Sequence, residues 1–384
     1  MPEEIDIVSG EAERVGTKGT APGLITHIIK ENKRFITKVL PNHIEAFKEV
    51  LTLIYEDSEK FKDVNFETIA YRYVNSGIYL TGTTKILKKD LKKLQDSFDI
   101  APLHNPIIFE LIKFSINKFP ESEHFVVADN SFHRTIPKEY STYAIPLNLI
   151  KKFKIKRMGY HGISHQYVMQ EASKFLNIDS KYQKIISCHL GTGGSSICAI
   201  KHGKSVNSSM GFTPLEGLLM NTRSGDIDIG MFFYIMYKNN LNTVEAENIL
   251  NKKSGVLGIL KESSDLRDAL KKQDKSSGAK LALDMYIRRI KKYIGNYFIQ
   301  LKKIDFLIFT DTLGVTMPEI RNTVCDGLEC FGIRIDKKLN NSYHSGIADI
   351  SHENSKVKIL VVPTNEELMI AREAYKELSI CVEL

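Results

Sequence analysis

The sequence lacks tryptophan and contains only five cysteines among its 384 residues. No two cysteines form a Cys-x-x-Cys pair and their number is odd, which argues against a disulfide framework and against a zinc site. No apolar run approaches the roughly 18 residues that a membrane-spanning helix needs. The first residues, Met1 to Asp6, are acidic and lack the basic-then-apolar order of a signal peptide. These absences predict a cytoplasmic protein with reduced thiols.

The sequence also lacks a concentrated basic patch, although Lys and Arg outnumber Asp and Glu by 53 to 46. Lysines are dispersed and interrupted by acidic residues, as between Lys88 and Lys93, which is typical of solvated helix faces. We therefore expect neither nucleic acid nor a membrane as a partner. A basic surface can still assist the capture of anionic substrates. The chain length favours two domains over one.

Apolar periodicity predicts an interleaving of strands and helices that occurs twice along the chain. In the first part, strands are predicted at 24–29, 35–40, 68–74 and 124–129, with helices at 42–55, 86–96 and 105–118. The first two strands flank a polar turn at residues 31–33, which predicts a hairpin. From about residue 150 the pattern begins again, with strands at 185–190, 196–200, 305–310 and 358–362 and helices over much of 228–301. This pattern predicts an α/β architecture with two related halves.

Glycine turns, histidines and an arginine are concentrated between Gly159 and Asp228. They occur in the segments Gly159–His165, His189–Gly194, Met210–Gly217 and Thr222–Asp226. Glycine turns let backbone N–H groups approach phosphate oxygens, and basic side chains stabilise the charge that develops during transfer. The segments therefore predict a phosphoryl-transfer site. Neither a Walker P-loop nor a proper Gly-x-Gly-x-x-Gly motif offers an alternative nucleotide site.

Three further side chains occupy positions suited to a site, each with a structural alternative. Arg72 lies at the end of a predicted strand, where it could hold an anion or form a surface ion pair. Asp129 ends an apolar strand, where it could be functional or cap a helix. Glu366 separates a buried strand from a helix, whose N-terminus it could simply complement.

Two basic groups complete the candidate set. Arg223 lies in a Gly- and Ser-rich turn, where its guanidinium could grip phosphate oxygens in a bidentate manner. His161 and His165 are four residues apart, a spacing that could indicate a metal pair. The Glu of a His-Glu-x-x-His motif is absent between them, which argues against metal binding.

These segments, in this order, closely resemble acetate kinases, and Ala101–Pro106 and Val362–Leu368 agree with that resemblance. The resemblance implies the two-domain fold of the actin, sugar kinase and Hsp70 type, a duplicated ribonuclease H-like fold. Residues 1–132 with 367–384 would form the N-terminal domain, and residues 133–366 the C-terminal domain with the nucleotide site. The implied activity is transfer from ATP to acetate or another short-chain carboxylate, with Mg²⁺ as cofactor. A homodimer is also implied.

The resemblance further implies a role for each candidate residue. Arg72 would bind the substrate carboxylate, and His161 with Arg223 would stabilise the transition state. Asp129 would be the acid–base or positioning aspartate, and Glu366 would help hold Mg²⁺.

Two larger sets follow from the same resemblance. The small apolar pocket for the methyl group of the acid would be formed by Val74, Leu103, Tyr160 and Pro214, for which core packing is the structural alternative. Tyr160 stands where phenylalanine is usual. The nucleotide would be bound by His189, Leu190, Gly191, Thr192, Gly193, Asp265, Leu266, Arg267, Thr312, Leu313, Gly314, Val315 and Thr316.

The chain departs from the family pattern where nucleotide and metal should bind. It has no counterpart of the family's first strand and its Asn-x-Gly-Ser-Ser-Ser turn, and Thr192 replaces an asparagine. In the 311–316 loop only Gly314 remains of the glycines, and bulkier side chains there should crowd the adenosine and its phosphates. Two alternatives therefore stay open: a catalytically impaired homologue acting as a binding or regulatory subunit, and an N-terminally truncated gene product. Acetate and propionate also stay open, since one methylene changes binding by only ~1–3 kcal/mol.

Overall fold

The chain divides into two compact units, which are described separately. The computed structural model describes residues 3–17, 22–30, 32–56, 66–80, 82–101 and 104–382. For residues 380–382 it describes the backbone alone. Unit 1 comprises Met1–Ala128 and Ile370–Leu384, and unit 2 comprises Asp129–Met369. The sequence predicts one domain of residues 1–132 with 367–384 and a second of residues 133–366. The boundaries of these domains are close to those of the two units, and their independent folding stays a prediction.

Unit 1 begins with an antiparallel sheet of three strands in the order β1-β2-β3. The strands are β1 (Val8–Glu13), β2 (Gly23–Ile29) and β3 (Asn32–Lys38). Helix α1 (His43–Glu56) packs Ala46 and Leu53 against Ile25 of β2. The predicted hairpin and helix are thus confirmed, although β3 lies earlier in the chain than predicted. Glu31, within the predicted turn, lies outside the described residues.

A second sheet of unit 1 has the order β4-β6-β5. Its strands are β4 (Thr68–Tyr73), β5 (Thr84–Lys85) and β6 (Glu123–Ala128), with β4 and β6 parallel. Helices α2 (Leu91–Gln95) and α3 (Asn105–Lys118) follow β5, and α3 packs Phe109 and Ile112 into the core of this sheet. The helix predicted over 86–96 is shorter, because residues 88–90 form a separate 3₁₀ turn.

Unit 2 is built on one sheet of six strands in the order β11-β12-β10-β7-β8-β9. The strands are β7 (Lys184–Leu190), β8 (Ser195–Lys201), β9 (Lys204–Ser208), β10 (Phe306–Thr310), β11 (Ala348–Asp349) and β12 (Lys358–Val361). Strands β12, β10 and β7 run parallel, and the outer pairs are antiparallel. Parallel strands buried on both faces read as continuous apolar runs, which is why the sequence located β7, β10 and β12.

Unit 2 also contains the helices α4 (Lys138–Ser141), α5 (Leu147–Phe153), α6 (Gly162–Phe175), α7 (Ile229–Asn239), α8 (Thr243–Lys252), α9 (Gly255–Leu260), α10 (Leu266–Lys272), α11 (Ser277–Leu301), α12 (Asp311–Thr316), α13 (Pro318–Cys325) and α14 (Lys337–Asn341). A further helix, α15 (Glu366–Val382), begins in unit 2, and its residues from Ile370 onward belong to unit 1. The longest, α11, begins at an N-cap in which Ser276 accepts a hydrogen bond from the Ala279 N–H. Its apolar face packs on the sheet core. None of the helices in the described part of the chain is long and apolar enough to cross a membrane.

Candidate active site

The carboxyl ends of β7 and β10 place two predicted nucleotide segments at the same edge of the sheet. The strands are parallel neighbours, with His189 opposite Thr310. The glycine turn 191–194 follows β7, and residues 311–316 follow β10. Open α/β sheets bind ligands at this edge. The second segment is the short helix α12 rather than an open loop, and it begins at Asp311 with a left-handed φ of 62°.

The Asp311 carboxylate and the His189 ring are in hydrogen-bond contact across these two segments. Asp311 Oδ2 lies 2.9 Å from His189 Nε2, and Asp311 Oδ1 accepts a hydrogen bond of 2.7 Å from the Thr312 N–H. Burial raises the pKa of Asp311, but His189 and Thr312 outweigh that effect and lower the pKa to about 2. Gly191 must be glycine here, since a Cβ would lie 2.2 Å from Asp311 Oδ2.

His161 is held in a constrained conformation at the start of α6. Its φ is 57°, in the left-handed region, and the next residue, Gly162, donates a backbone hydrogen bond of 3.0 Å to the Asp129 carbonyl. A Cβ on Gly162 would lie 2.1 Å from that carbonyl oxygen, so only glycine permits this approach. The buried Asp129 is thereby fixed beside His161.

Gly194 is the point on which His161 and Arg223 converge. A Cβ built on Gly194 would lie 3.4 Å from His161 Nε2 and 3.4 Å from Arg223 Nη1. The His161 ring also stacks on the His189 ring, with 4.1 Å between centroids and an angle of 25°. An imidazole edge and a guanidinium therefore face the same side-chain-free position of the glycine turn. That arrangement suits an anion with several oxygens.

Arg223 is held by the surrounding loop. Its Nη1 donates to the Pro214 carbonyl at 3.3 Å, and burial lowers its pKa, although a guanidinium stays charged in proteins. The loop is tied to α11, because Arg289 donates to the carbonyls of Gly217 and Asp226 at 2.7 and 3.1 Å. Hydrogen bonds to neighbouring elements thus fix the backbone of the loop that carries the Arg223 guanidinium.

Of the predicted acceptor pocket, Tyr160 and Pro214 lie in unit 2. Tyr160 is buried, and its hydroxyl donates to the Phe212 carbonyl at 3.0 Å, which satisfies the polar group that phenylalanine would lack. In unit 1, Val74 is half-buried directly after β4. Leu103 lies outside the described residues.

Arg72 lies on the exposed face of β4, while its neighbours Tyr71 and Tyr73 point into the core of that sheet. Because side chains alternate along a strand, the buried tyrosines fix the outward direction of Arg72. The predicted position near the end of a strand is therefore observed.

The remaining nucleotide residues occupy the starts of helices and the glycine turn. Asp265 is the N-cap of α10, accepts the Arg267 N–H at 2.8 Å and forms an ion pair with its guanidinium, while Leu266 is buried. In α12, Leu313 and Gly314 are buried, Val315 is half-buried and packs against the core, and Thr316 is exposed. Leu190 is buried in β7, and Thr192 and Gly193 are more exposed in the turn.

Glu366 is the first residue of α15, with Glu367 beside it. Within the described ranges, no group of three or more His, Cys, Asp or Glu side chains could hold a metal ion by itself. Mg²⁺ does not need such a group, because it keeps several waters and is held by one or two carboxylates together with substrate phosphates. A half-buried carboxylate such as Glu366 fits that requirement.

Sequence reasoning missed the buried serines that hold the histidines. Ser164 Oγ lies 2.9 Å from His189 Nδ1, and Ser196 Oγ lies 2.9 Å from His161 Nδ1. The signal that could have revealed Ser196 is its place in the otherwise apolar run of β8, since buried polar side chains need partners.

The chain is similar to known proteins over nearly its whole length. The acetokinase family model matches residues 3–372. The acetate kinase of Thermoanaerobacterium thermosaccharolyticum is 43% identical over 376 residues, covering 96% of this chain and 92% of that protein. The acetate kinase of Thermotoga maritima is 42% identical over 381 residues, covering 97% and 93%.

Solved structures of similar proteins include an acetate kinase and a propionate kinase. The acetate kinase of Porphyromonas gingivalis has a TM-score of 0.88 at 33% identity, covering 97% of this chain and 93% of that chain. The propionate kinase of Francisella tularensis has a TM-score of 0.87 at 35% identity, covering 96% and 93%.

Proposed function

Because this chain belongs to the acetokinase family, we propose that it transfers the γ-phosphoryl group of ATP to acetate or another short-chain carboxylate. The chain is a phosphotransferase, and its fold is the predicted duplicated ribonuclease H-like fold of the actin, sugar kinase and Hsp70 type. The observation that supports the site best is the convergence of His161 and Arg223 on Gly194. The comparisons give no support to the alternative of a catalytically impaired homologue. A cytoplasmic location is part of the proposal, since ATP is the phosphoryl donor.

The reaction joins two anions, which repel each other, and the basic groups at Gly194 can reduce that repulsion. A carboxylate oxygen of the acceptor attacks the γ-phosphorus, and the bond from that phosphorus to the β–γ bridging oxygen breaks, which releases ADP. Charge spreads over the three equatorial oxygens of the phosphoryl group during this step. Arg223 contributes a planar fork and His161 a ring nitrogen toward those oxygens, and both are preorganised.

We assign Arg72 to the acceptor carboxylate and Asp129 to positioning. A carboxylate acceptor has no proton to lose at neutral pH, so the reaction needs no general base. Asp129 directly follows β6 and is buried, and its backbone carbonyl accepts a hydrogen bond from the Gly162 N–H, next to His161. Because the acceptor has no proton to lose, a positioning role explains the Asp129 carboxylate better than an acid–base role.

The nucleotide is assigned to the edge formed by the turn after β7, the start of α10 and helix α12. Its residues are His189, Leu190, Gly191, Thr192, Gly193, Asp265, Leu266, Arg267, Thr312, Leu313, Gly314, Val315 and Thr316. Glu366 is proposed to hold Mg²⁺ together with phosphate oxygens. When bound, the ion would neutralise charge on the nucleotide phosphates.

The acceptor pocket is proposed to take acetate and to discriminate weakly against propionate. The Tyr160 hydroxyl donates to the Phe212 carbonyl, so its ring can serve as an apolar surface for the methyl group of the acid. The family resemblance is the ground for proposing the same role for Val74, Leu103 and Pro214. An apolar wall separates acids that differ by one methylene by only ~1–3 kcal/mol. We expect activity with both acids.

A homodimer is also proposed, with helix α7 in its interface. Ile229, Phe233 and Tyr237 are four residues apart along α7 and are 64%, 64% and 79% exposed. Residues at this spacing share one face of a helix, and aromatic side chains are enriched at interface cores. Light scattering should give twice the chain mass, and Phe233→Glu should shift the protein toward monomer. A monomeric parent chain would contradict the proposal.

The direct test is an assay with acetate and Mg·ATP in which hydroxylamine traps the acyl phosphate. Arg223→Ala should lower kcat at least about 100-fold, because a charge-stabilising donor is lost from the transition state. Arg223→Lys should recover little, since an ammonium lacks the bidentate fork. The exposed arginine of α11 provides the matched control Arg288→Ala. Folded but inactive parent protein, or equal rates for Arg223→Ala and Arg288→Ala, would contradict the assignment.

A further inference from the structure

The two histidines at the start of α6 are joined through a buried serine. Ser196 Oγ lies 2.9 Å from His161 Nδ1 and 2.9 Å from His165 Nε2. Ser196 belongs to β8 and stands opposite His189 of β7 in the sheet. The four-residue spacing of the histidines, which could suggest a metal pair, thus brings both rings to one hydroxyl group.

The chain of hydrogen bonds continues beyond His165. Its Nδ1 lies 2.9 Å from Ser187 Oγ. His165, Ser187 and Ser196 are each 0% exposed, so water does not compete for their polar atoms. Burial lowers the pKa of His165 well below its usual value, and the ring is therefore neutral with a single N–H.

A serine hydroxyl has one proton, which couples the two imidazoles. If Ser196 donates to one ring, it must accept from the other. The tautomer of His161 and the tautomer of His165 are therefore set together. The partner on the far side of His165, Ser187, completes a directed chain in which each group donates once.

The position of Gly194 indicates in which direction the hydrogen bonds of this chain run. The Cε1–Nε2 edge of the His161 ring faces Gly194 beside Arg223 Nη1, so Nε2 is the ring nitrogen on that side. For Nε2 to donate a hydrogen bond to an anion there, a neutral His161 must accept at Nδ1, and so Ser196 donates to it. Ser196 then accepts from His165 Nε2–H, and His165 Nδ1 accepts from the Ser187 hydroxyl.

We propose that Ser196, together with His165, is a positioning residue that holds His161 as the Nε2–H tautomer and so aims a donor at the phosphoryl group being transferred. The identity of that group rests on the proposed function, whereas the tautomer itself is a property of the chain alone. Ser196 touches neither substrate nor nucleotide in this role, because it acts through His161.

Nitrogen-15 NMR of histidine-labelled protein reads the tautomers directly, since protonated and unprotonated ring nitrogens differ widely in chemical shift. In the parent chain, His161 and His165 should both show protonated Nε2 and unprotonated Nδ1. Ser196→Ala should give His161 a mixture of tautomers, and Ser196→Thr, which keeps a hydroxyl, should restore the parent pattern. Ser187→Ala acts at the far end of the hydrogen-bond chain and should give His165 a mixture of tautomers. This variant keeps the test usable if Ser196→Ala fails to fold.

The matched control is Ser205→Ala. Ser205 is also a buried strand serine bonded to a buried histidine, at 2.8 Å from His133 Nδ1. The His133 ring packs edge-on against His165 at 5.8 Å between centroids, so Ser205→Ala perturbs the same cluster of histidines but leaves the Ser196 hydroxyl in place. In the acyl phosphate assay, Ser196→Ala should lower kcat at least about tenfold with little change in the KM for ATP, and Ser205→Ala should not.

The outcomes separate the two proposals. Parent His161 with its proton on Nδ1, an unchanged pattern in Ser196→Ala, or an equal loss of kcat in Ser205→Ala would overturn the role of Ser196. A parent chain with the expected tautomers but no transferase activity would overturn the proposed function and leave the tautomer assignment standing.

Discussion

Gly194 lies where the His161 ring and the Arg223 guanidinium meet, and it leaves space between them because it has no side chain. We expect Gly194→Ala to fold, since its methyl group would lie at an ordinary contact distance of 3.4 Å from His161 and Arg223. The same methyl group would occupy the space that we propose for the transferred phosphoryl group. Turnover should fall at least about 100-fold while the melting temperature changes by less than about 3 °C.

Gly193→Ala is the matched variant, because a methyl group there would meet no atom within 4 Å among the described residues. Kinetics and thermal unfolding of both variants check this prediction. An equal loss of turnover in both would assign the effect to stiffening of the turn, and the position of Gly194 would not explain it.

Asp311 should contribute stability that depends on pH in a predictable direction. Its pKa is lowered from 3.8 to about 2 in the folded chain, so its contribution is present above pH 4 and is lost as the pH falls toward 2. Asp311→Asn cannot ionise, yet asparagine tolerates the left-handed backbone at this position. The parent should exceed the variant by about 2 kcal/mol in the free energy of unfolding at pH 5 to 7.

Urea unfolding of both proteins at several pH values measures that difference. It should shrink steadily between pH 4 and pH 2.5. A difference that stays constant over this range would show that the carboxylate charge is not what stabilises the pair with His189.

At the scale of elements, helix α12 depends on a buried arginine. Arg321 of α13 is 0% exposed, and its Nη1 donates to the carbonyls of Gly314 and Val315 at 2.8 and 2.7 Å. Its Nε donates to Asn340 Oδ1 at 2.6 Å, which joins α13 to α14. Burial lowers the pKa of Arg321 to about 10, so it stays charged at neutral pH.

Arg321→Met should therefore destabilise the protein strongly, because it removes the guanidinium donor from four buried or partly buried acceptors, the carbonyls of Gly314, Val315 and Asn340 and the Asn340 side-chain oxygen. We expect a loss of about 3–5 kcal/mol in the free energy of unfolding. Arg321→Lys should recover only part of it, since one ammonium cannot reach the acceptors that a guanidinium fork spans. Chemical denaturation gives the values, with Arg288→Met as the exposed control. A loss below about 1 kcal/mol for Arg321→Met would contradict this account of α12.

Helix and strand prediction succeeded where an element is long enough to show a period. The predicted helix over 105–118 is α3, and the predicted buried strands are β7, β10 and β12. The sequence predicts a nucleotide loop over 311–316, but this segment forms α12. Six residues show too little periodicity to indicate a helix. The end of this helix is held by Arg321 of α13, which is itself anchored by Asn340, 19 residues further along the chain.

At the scale of the whole molecule, the end of the chain belongs to the unit that contains its beginning. Residues Ile370–Leu384 group with Met1–Ala128. Within that unit Arg372 forms a bidentate pair with Glu4 at 2.7 and 2.8 Å, and Thr83 donates to Glu373 at 3.2 Å. Removal of the residues after Met369 should therefore loosen unit 1.

Hydrogen exchange followed by mass spectrometry measures this effect by segment. Protection in β4 and β6 should fall at least about tenfold on truncation after Met369, whereas protection in β7 and β10 should change far less. Truncation after Val382 is the control, because it keeps all of α15. Equal loss of protection in both units would contradict the division.

The sequence by itself determined the α/β class, most of the longer elements and the family, because periodic apolar runs and short glycine motifs are local in the chain. It also singled out His161, Arg223 and Asp129 as site residues. Only the tertiary structure decided that Asp311 pairs with His189 and that Ser196 joins His161 to His165. Those contacts join residues from different strands and helices, and no local pattern records which buried side chains meet when a sheet and a helix pack.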